Sequence, residues 1–284
     1  MNQACTDSSL FGPILSTVSS LRPALSRTHL VVLGSVAALV GALFGFWWWR
    51  SRQPIHRLRG PNLVFWAWER PEDLRFLDPQ KEAVGFLAAT VELLPDRVKI
   101  YPRMQPLLLA SGTQLMAVVR IYSHPGLPAS LDAAQLNQTL DALLAATHQP
   151  QVTALQIDFD ARSSERAFYS QLLAELRSRL GSAYPISITA LASWCIGDRW
   201  IHNLPVDEAV PMLFSMGNEQ IVISHYLSWH PFFPEPLCRG SVGLSTGEWL
   251  PSQVRHQTRV YVFSRDAWTQ QSVNTIRSRL SGKF

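Results

Sequence analysis

Eight short apolar runs recur along the chain, and their spacing restricts the fold more than any other feature. They are Asn62–Trp66, Ala83–Ala88, Gln114–Tyr122, Val152–Asp160, Pro185–Ser193, Ala209–Phe214, Ser241–Leu244 and Arg259–Phe263. Each has the length and apolar content of a buried strand. Three intervals read as helices. The first is capped by Ser130 and runs through His148, with Leu136, Leu140, Leu143 and Leu144 on one side. Another is capped by Ser163 or Ser164 and ends at Leu180, striped by Phe168, Leu172, Leu173 and Leu176. The last starts at Asp266 and turns Val273, Ile276 and Leu280 inward. Strand alternating with helix implies a parallel sheet. Eight strands in about 200 residues predict an α/β chain closed into a TIM-like (β/α)8 barrel.

The fourth run carries the most unusual chemistry. Leu155, Ile157 and Phe159 alternate with Gln156, Asp158 and Asp160, so the two sets face opposite sides of a strand. The apolar set packs on helices, and the polar set points into the barrel. Active sites of such barrels lie at the C-terminal ends of the strands, where Asp160 falls. Two readings of the aspartate pair stand side by side: a working site, or an ion-pair network with interior arginines that holds the barrel mouth together.

The other strand ends are rich in tryptophan and carboxylate. The first runs into Trp66-Ala67-Trp68-Glu69-Arg70, the third into Arg120-Ile121-Tyr122-Ser123-His124, and the fifth into Trp194-Cys195. The seventh is followed by Glu248 and Trp249, the eighth by Asp266 and Trp268. Indole planes beside carboxylates suit the C–H faces of sugar rings. Equally, aromatics dominate core burial, and the same tryptophans would serve to plug the mouth.

Charge is distributed unevenly. The 284-residue chain has a formal charge of +4, but residues 1–59 hold six arginines against one acid, Asp7. What remains carries 19 basic and 20 acidic residues, so the globular part shows no basic footprint for nucleic acid. The arginines flank Leu30–Trp49, twenty residues without a charge. Twenty residues of helix rise about 30 Å, the thickness of a bilayer's hydrocarbon core. Trp47, Trp48 and Trp49 make an aromatic belt before Arg50 and Arg52. The predicted organisation is a mobile tail over 1–29, a transmembrane helix over 30–49, a basic linker over 50–60 and a barrel over 61–284. A cleaved signal peptide fits less well, because the apolar run is long and no small-x-small site follows it. The arginines after the span would place the barrel in the cytoplasm. Cys195 and Cys238 either pair in an oxidising compartment or stay free thiols.

Other motifs carry little. Gly243-Leu244-Ser245-Thr246-Gly247 matches a nucleophile elbow, but Pro251 interrupts any long helix after it and only His256 follows. His225 and His230 are five apart and a poor metal pair. With no Cys-x-x-Cys, phosphate loop or dinucleotide fingerprint, no metal and no cofactor is expected. The sequence specifies no oligomeric state.

Asp158-Phe159-Asp160, Ser187–Cys195 and Asp207–Phe214 together resemble a bacterial family catalogued as a domain of unknown function. It is thought to be a TIM barrel related to glycoside hydrolases. The resemblance covers about 62–268. A more distant likeness is to the chitinase-type fourth strand, Asp-x-Asp-x-Glu, where this chain has Asp158-x-Asp160-x-Arg162. Arginine stands at the position of the catalytic acid.

The expectation is a glycoside-hydrolase-like barrel, single-pass in the cytoplasmic membrane, acting on an envelope or extracellular polysaccharide from the extracytoplasmic side. That placement opposes the arginine count. Asp160 would be acid/base or nucleophile, tuned by Asp158, with Glu69 or Glu248 as second carboxylate. Trp66, Trp68, Arg120, Trp194, Trp249 and Trp268 would bind substrate. The alternative is a non-catalytic carbohydrate-binding or scaffold protein that kept the cleft and lost the chemistry.

Overall fold

The structure is a computed structural model that describes residues 40–41, 58, 60–248 and 259–281. The chain divides into two units, Met1–Gln53 and Pro54–Phe284. Of the first, only Val40 and Gly41 are described, both helical, so the expected span Leu30–Trp49 lies otherwise outside the described residues. Among those described, no helix is long and apolar enough to cross a membrane.

In the second unit the strands are β1 (Leu63–Ala67), β2 (Glu72–Leu74), β3 (Glu82–Leu93), β4 (Val98–Pro102), β5 (Leu107–Leu109), β6 (Gln114–Ser123), β7 (Val152–Asp158), β8 (Ile186–Leu191), β9 (Glu208–Met212), β10 (Ser241–Ser245) and β11 (Arg259–Phe263). β1, β3, β6, β7, β8, β9, β10 and β11 pair in that order, and β11 returns to β1. Every pairing in the ring is parallel. The eight strands of this closed barrel are the eight apolar runs. β4 pairs antiparallel with the far end of β3, and β2 with β5 forms a small separate sheet. Helices α1 (Ala133–Thr147), α2 (Arg166–Leu180), α3 (Gln220–Trp229) and α4 (Gln270–Leu280) follow β6, β7, β9 and β11. Between β8 and β9 the described chain forms only a short π-helical turn, Trp194–Asp198. The ring is therefore that of a TIM barrel, while the described helical layer is incomplete.

Three helix starts differ from expectation. Neither Ser163 nor Ser164 caps α2: both lie in a short 3-10 turn, Ser163–Glu165, tied by Glu165 to the backbone of Arg162, and α2 begins at Arg166. Asp132, not Ser130, caps α1, accepting from Gln135 N at 2.9 Å, while the Ser130 hydroxyl donates to Asp132. Thr269, not Asp266, caps α4 through Ser272 N. In these last two cases the carboxylate or hydroxyl nearest the first turn reaches the free N–H groups best.

Alternation sorts side chains into two cores. Leu155, Ile157 and Phe159 face outward onto the helices with Phe168, Leu172, Leu173 and Leu176, and all are buried. Each such side chain contributes about 1.5–3 kcal/mol. Inside the barrel lie Val64, Trp66, Met116, Val118, Ala154, Val210 and Tyr261. Trp66 crosses this interior. A methyl group on Gly85 would stand 2.9 Å from its Cδ1, and one on Gly243 would stand 3.0 Å from its Cη2. Two glycines on opposite sides thus make room for one indole. Gly85→Ala should cost about 1–3 kcal/mol by overpacking, read as a lower denaturation midpoint in urea. An unchanged midpoint would mean that Trp66 has room to move.

A polar chain ties the same layer together. Trp66 Nε1 donates to Gln156 Oε1 (2.7 Å), Gln156 Nε2 to Ser187 Oγ (3.0 Å), and Ser187 and Tyr261 both donate to Glu208. A buried carboxylate without such donors would be costly. This plug closes the barrel below the mouth, so any ligand must bind above it. Cys195 and Cys238, both fully buried, are disulfide-bonded with Cα atoms 5.9 Å apart.

Candidate active site at the barrel mouth

Asp158 ends β7, in register with Arg120 on β6. Its Oδ1 accepts from Thr189 Oγ1 on β8 at 2.7 Å, and its Oδ2 lies 3.9 Å from Arg120 Nε. Burial pushes the Asp158 carboxyl up, against the pull of Thr189 and Arg120. Asp160 stands two residues on, at the rim, where water reaches it. The protein crowding its other side, with the charge of Asp158, pushes its carboxyl up to about 6 against the pull of Arg120. Asp158, Asp160 and Arg120 therefore act on one another at the C-terminal side of β6 and β7. An acid with that poise suits proton transfer near neutral pH.

The other expected carboxylates lie apart from this pair. Glu69, after β1, is exposed and accepts from Met104 N at 3.2 Å. Glu248, after β10, accepts from Ser215 N at 2.7 Å and lies 3.4 Å from Arg265 Nη2. Their strands are each three places from β7 around the ring, and no hydrogen bond or ion pair among the described residues links either to Asp158 or Asp160.

The tryptophans separate clearly. Trp66 is the interior plug already described. Trp194 packs edge-on against Trp200 at 5.0 Å in the outer core. Trp268 donates its Nε1 to Trp66 O and lies edge-on to Phe65 at 4.9 Å. All three are 2–4% exposed, which leaves no open indole face for a sugar ring and corrects the expectation of stacking for them. Trp249 lies outside the described residues. Trp68 is partly exposed at the mouth and meets Phe263 edge-on at 5.7 Å, beside the stacked rings of Phe263 and Phe214. The mouth thus has an aromatic side on β1, β9 and β11 and a charged side on β6 and β7, to which β8 adds the hydroxyl of Thr189.

Arg162, at the chitinase-type acid position, is locked away. Its Nε donates to Glu165 Oε1 (3.0 Å), its Nη2 to Ser123 Oγ (3.0 Å), and its backbone N to Glu165 Oε2 (2.8 Å). Glu165 is buried in this knot at the start of α2, with its carboxyl held below the usual range by Arg162 and Ser123 despite the burial.

One group at the mouth was missing from the sequence reading. Glu92, on β3, accepts from Tyr101 OH at 2.9 Å and lies 2.8 Å from His124 Nε2. Tyr122 OH lies 3.2 Å from His124 Nδ1. The run Ala83–Ala88 stops short of Glu92, whereas β3 continues past an irregularity between Leu87 and Ala89 to Leu93. The apolar–polar alternation Val91-Glu92-Leu93 was the available signal.

Comparison with known proteins agrees with this fold. Residues 111–212 match the model of a family described as a domain of unknown function, DUF3142. None of the curated proteins compared with the chain matches it. Among solved structures, the chain is similar to a Streptomyces coelicolor protein provisionally described as Chitinase A. The TM-score is 0.52 at 9% identity, covering 78% of this chain and 98% of that one. A fungal endo-β-N-acetylglucosaminidase of glycosyl hydrolase family 18 aligns over 72% of this chain and 90% of its own, at 13% identity and a TM-score of 0.45. The Streptomyces likeness shows the fold alone: a TIM-like barrel.

Proposed function

We propose that this chain is a membrane-anchored, carbohydrate-active barrel that hydrolyses glycosidic bonds of an envelope or extracellular polysaccharide at the Asp158–Asp160 mouth. The observation that carries the reading is the placement of Asp160: open to solvent beside a partly buried, hydrogen-bonded Asp158 and a half-exposed Arg120, with a carboxyl poised near 6. Asp160 acts as the acid/base group. Arg120 and Asp158 set its charge, and the aromatic side around Trp68 faces the sugar. The test is a polysaccharide panel on which bound sugar and released reducing ends are scored separately. Release that disappears in Asp160→Asn supports hydrolysis; release unaffected by that change overturns it.

The second reading is a binder without turnover, and the locked Arg162 favours it. In that case the panel yields binding without release, and Asp160→Asn weakens the binding.

For location, the Leu30–Trp49 run supports a single span, and the Cys195–Cys238 bond supports an oxidising, extracytoplasmic setting. The full chain should resist carbonate extraction from membranes, and a C-terminal alkaline phosphatase fusion should be active. A silent phosphatase with a fluorescent C-terminal green fluorescent protein fusion would put the barrel in the cytoplasm, as the arginine count alone would have it.

A further inference from the structure

At the mouth Asp160 is the acid, and Asp158 is taken up by Thr189 and Arg120, so the base is still to be assigned. A hydrolase that inverts the sugar's anomeric centre needs two carboxyl groups, about 6.5–9.5 Å apart, with room for a water between. The register of the sheet supplies a candidate. Thr90 pairs with Arg120, and Arg120 pairs with Asp158. Two residues on, Glu92 pairs with Tyr122, and Asp160 lies two residues past Asp158, the last β7 residue paired with β6. Side chains two apart on a strand share a face, so Glu92, Arg120, Tyr122 and Asp158 belong to the barrel's inner face; His124 joins them through its contact with Glu92, and Asp160 follows the end of β7 by two residues. β3 and β7 are two strands apart, which sets Glu92 and Asp160 about 10 Å from each other at the backbone.

We propose that Glu92 is the second catalytic carboxylate, the general base of an inverting pair with Asp160. This rests on the hydrolase reading above and deepens it by naming the missing partner and the stereochemistry. Tyr122 lies between the two carboxylates. Its hydroxyl reaches His124 and its side chain is 37% exposed, so its ring offers a floor for the sugar at the cleavage point. Tyr101, 49% exposed on β4, frames the outer side.

The surroundings of the two carboxyls drive them in opposite directions. Hydrogen bonds from His124 and then Tyr101 hold Glu92 below the usual carboxylate range, while burial and Asp158 raise Asp160. Divergent environments of this kind assign the acid and the base. In the step, Glu92 takes a proton from water as that water's oxygen bonds to the anomeric carbon. The glycosidic C–O bond breaks on the opposite face, and Asp160 gives its proton to the departing oxygen. One water is consumed, and the new hemiacetal has inverted configuration. Arg162, locked beside Glu165, has no part in it.

The test uses the full chain with chitohexaose, cellohexaose and xylohexaose. Proton NMR should show the inverted anomer as the first product. Glu92→Gln should lower kcat at least 100-fold while oligosaccharide binding changes little. Glu92→Ala should regain turnover with azide, releasing a glycosyl azide of inverted configuration, a rescue that a merely structural Glu92 would not give. Retained configuration, or full activity in Glu92→Gln, overturns the pair and leaves the hydrolase reading standing. No turnover of any of the three overturns both, and binding in that case points to the non-catalytic reading.

Discussion

Replacing Cys195 and Cys238 together by serine is expected to lower stability by about 4 kcal/mol, the chain-entropy value for a loop of this length. The bond closes a separation of 43 residues. That segment includes β9, α3 and a β8–β9 connection whose described residues form no α-helix, so noncovalent support there is thin. For a domain of this size the loss corresponds to a fall in Tm of about 8–16 °C. Dithiothreitol should bring the unmodified protein to the same value. A reductant-insensitive melting curve would mean that the thiols do not pair, and the extracytoplasmic placement would lose its main support.

The second large effect separates the two aspartates. Asp158→Ala removes a partly buried acceptor from Thr189 and leaves Arg120 without its partner, and should cost about 2–4 kcal/mol. Asp160→Asn should behave in the opposite way. A carboxyl whose folded-state value is raised binds its proton more tightly in the folded chain. Its contribution to stability is therefore present at low pH and is lost as pH rises from about 4, the usual carboxylate value, to about 6. The asparagine variant escapes that loss. At pH 7 its Tm should match or exceed that of the unmodified chain by no more than a few degrees, since water screens the rim. Below pH 4 the difference should vanish. Turnover should nonetheless fall by about 100-fold or more, within the range for loss of one general acid. In the unmodified chain, activity should decline as pH rises through about 6, because the acid must carry its proton. If Asp160→Asn unfolds the domain as badly as Asp158→Ala, the pair is structural, as the ion-pair reading has it.

Much of the barrel was legible because period-two alternation is a local property. Leu155, Gln156, Ile157 and Asp158 announce their two faces without reference to the rest of the chain, and Arg259–Phe263 has the same bounds in sequence and structure. α3 was not legible. Ile221-Val222-Ile223 reads as strand, and Ile221 and Val222 stay 80% and 67% exposed, which blurs any helical stripe. The tryptophans misled for another reason: proximity to a strand end does not say which side of the strand an indole takes, or whether a neighbouring glycine admits it. Trp66 needed Gly85 and Gly243, far away in sequence, to become a plug. Glu92 was missed because a strand that outruns the barrel, paired with β4, leaves no boundary signal at Ala88. Glu69 and Glu248 were chosen for nearness to strand ends, yet their partners, Met104 and Ser215, are set by loop geometry that the sequence does not display.

The most direct measurement is a crystal structure of Asp160→Asn soaked with the oligosaccharide that the unmodified chain cleaves or binds best. The account predicts a pyranose at the C-terminal mouth, above the Trp66 plug, with its glycosidic oxygen about 2.6–3.2 Å from the residue-160 side chain. Sugar bound anywhere else on the domain, with the mouth empty of it, would contradict the account.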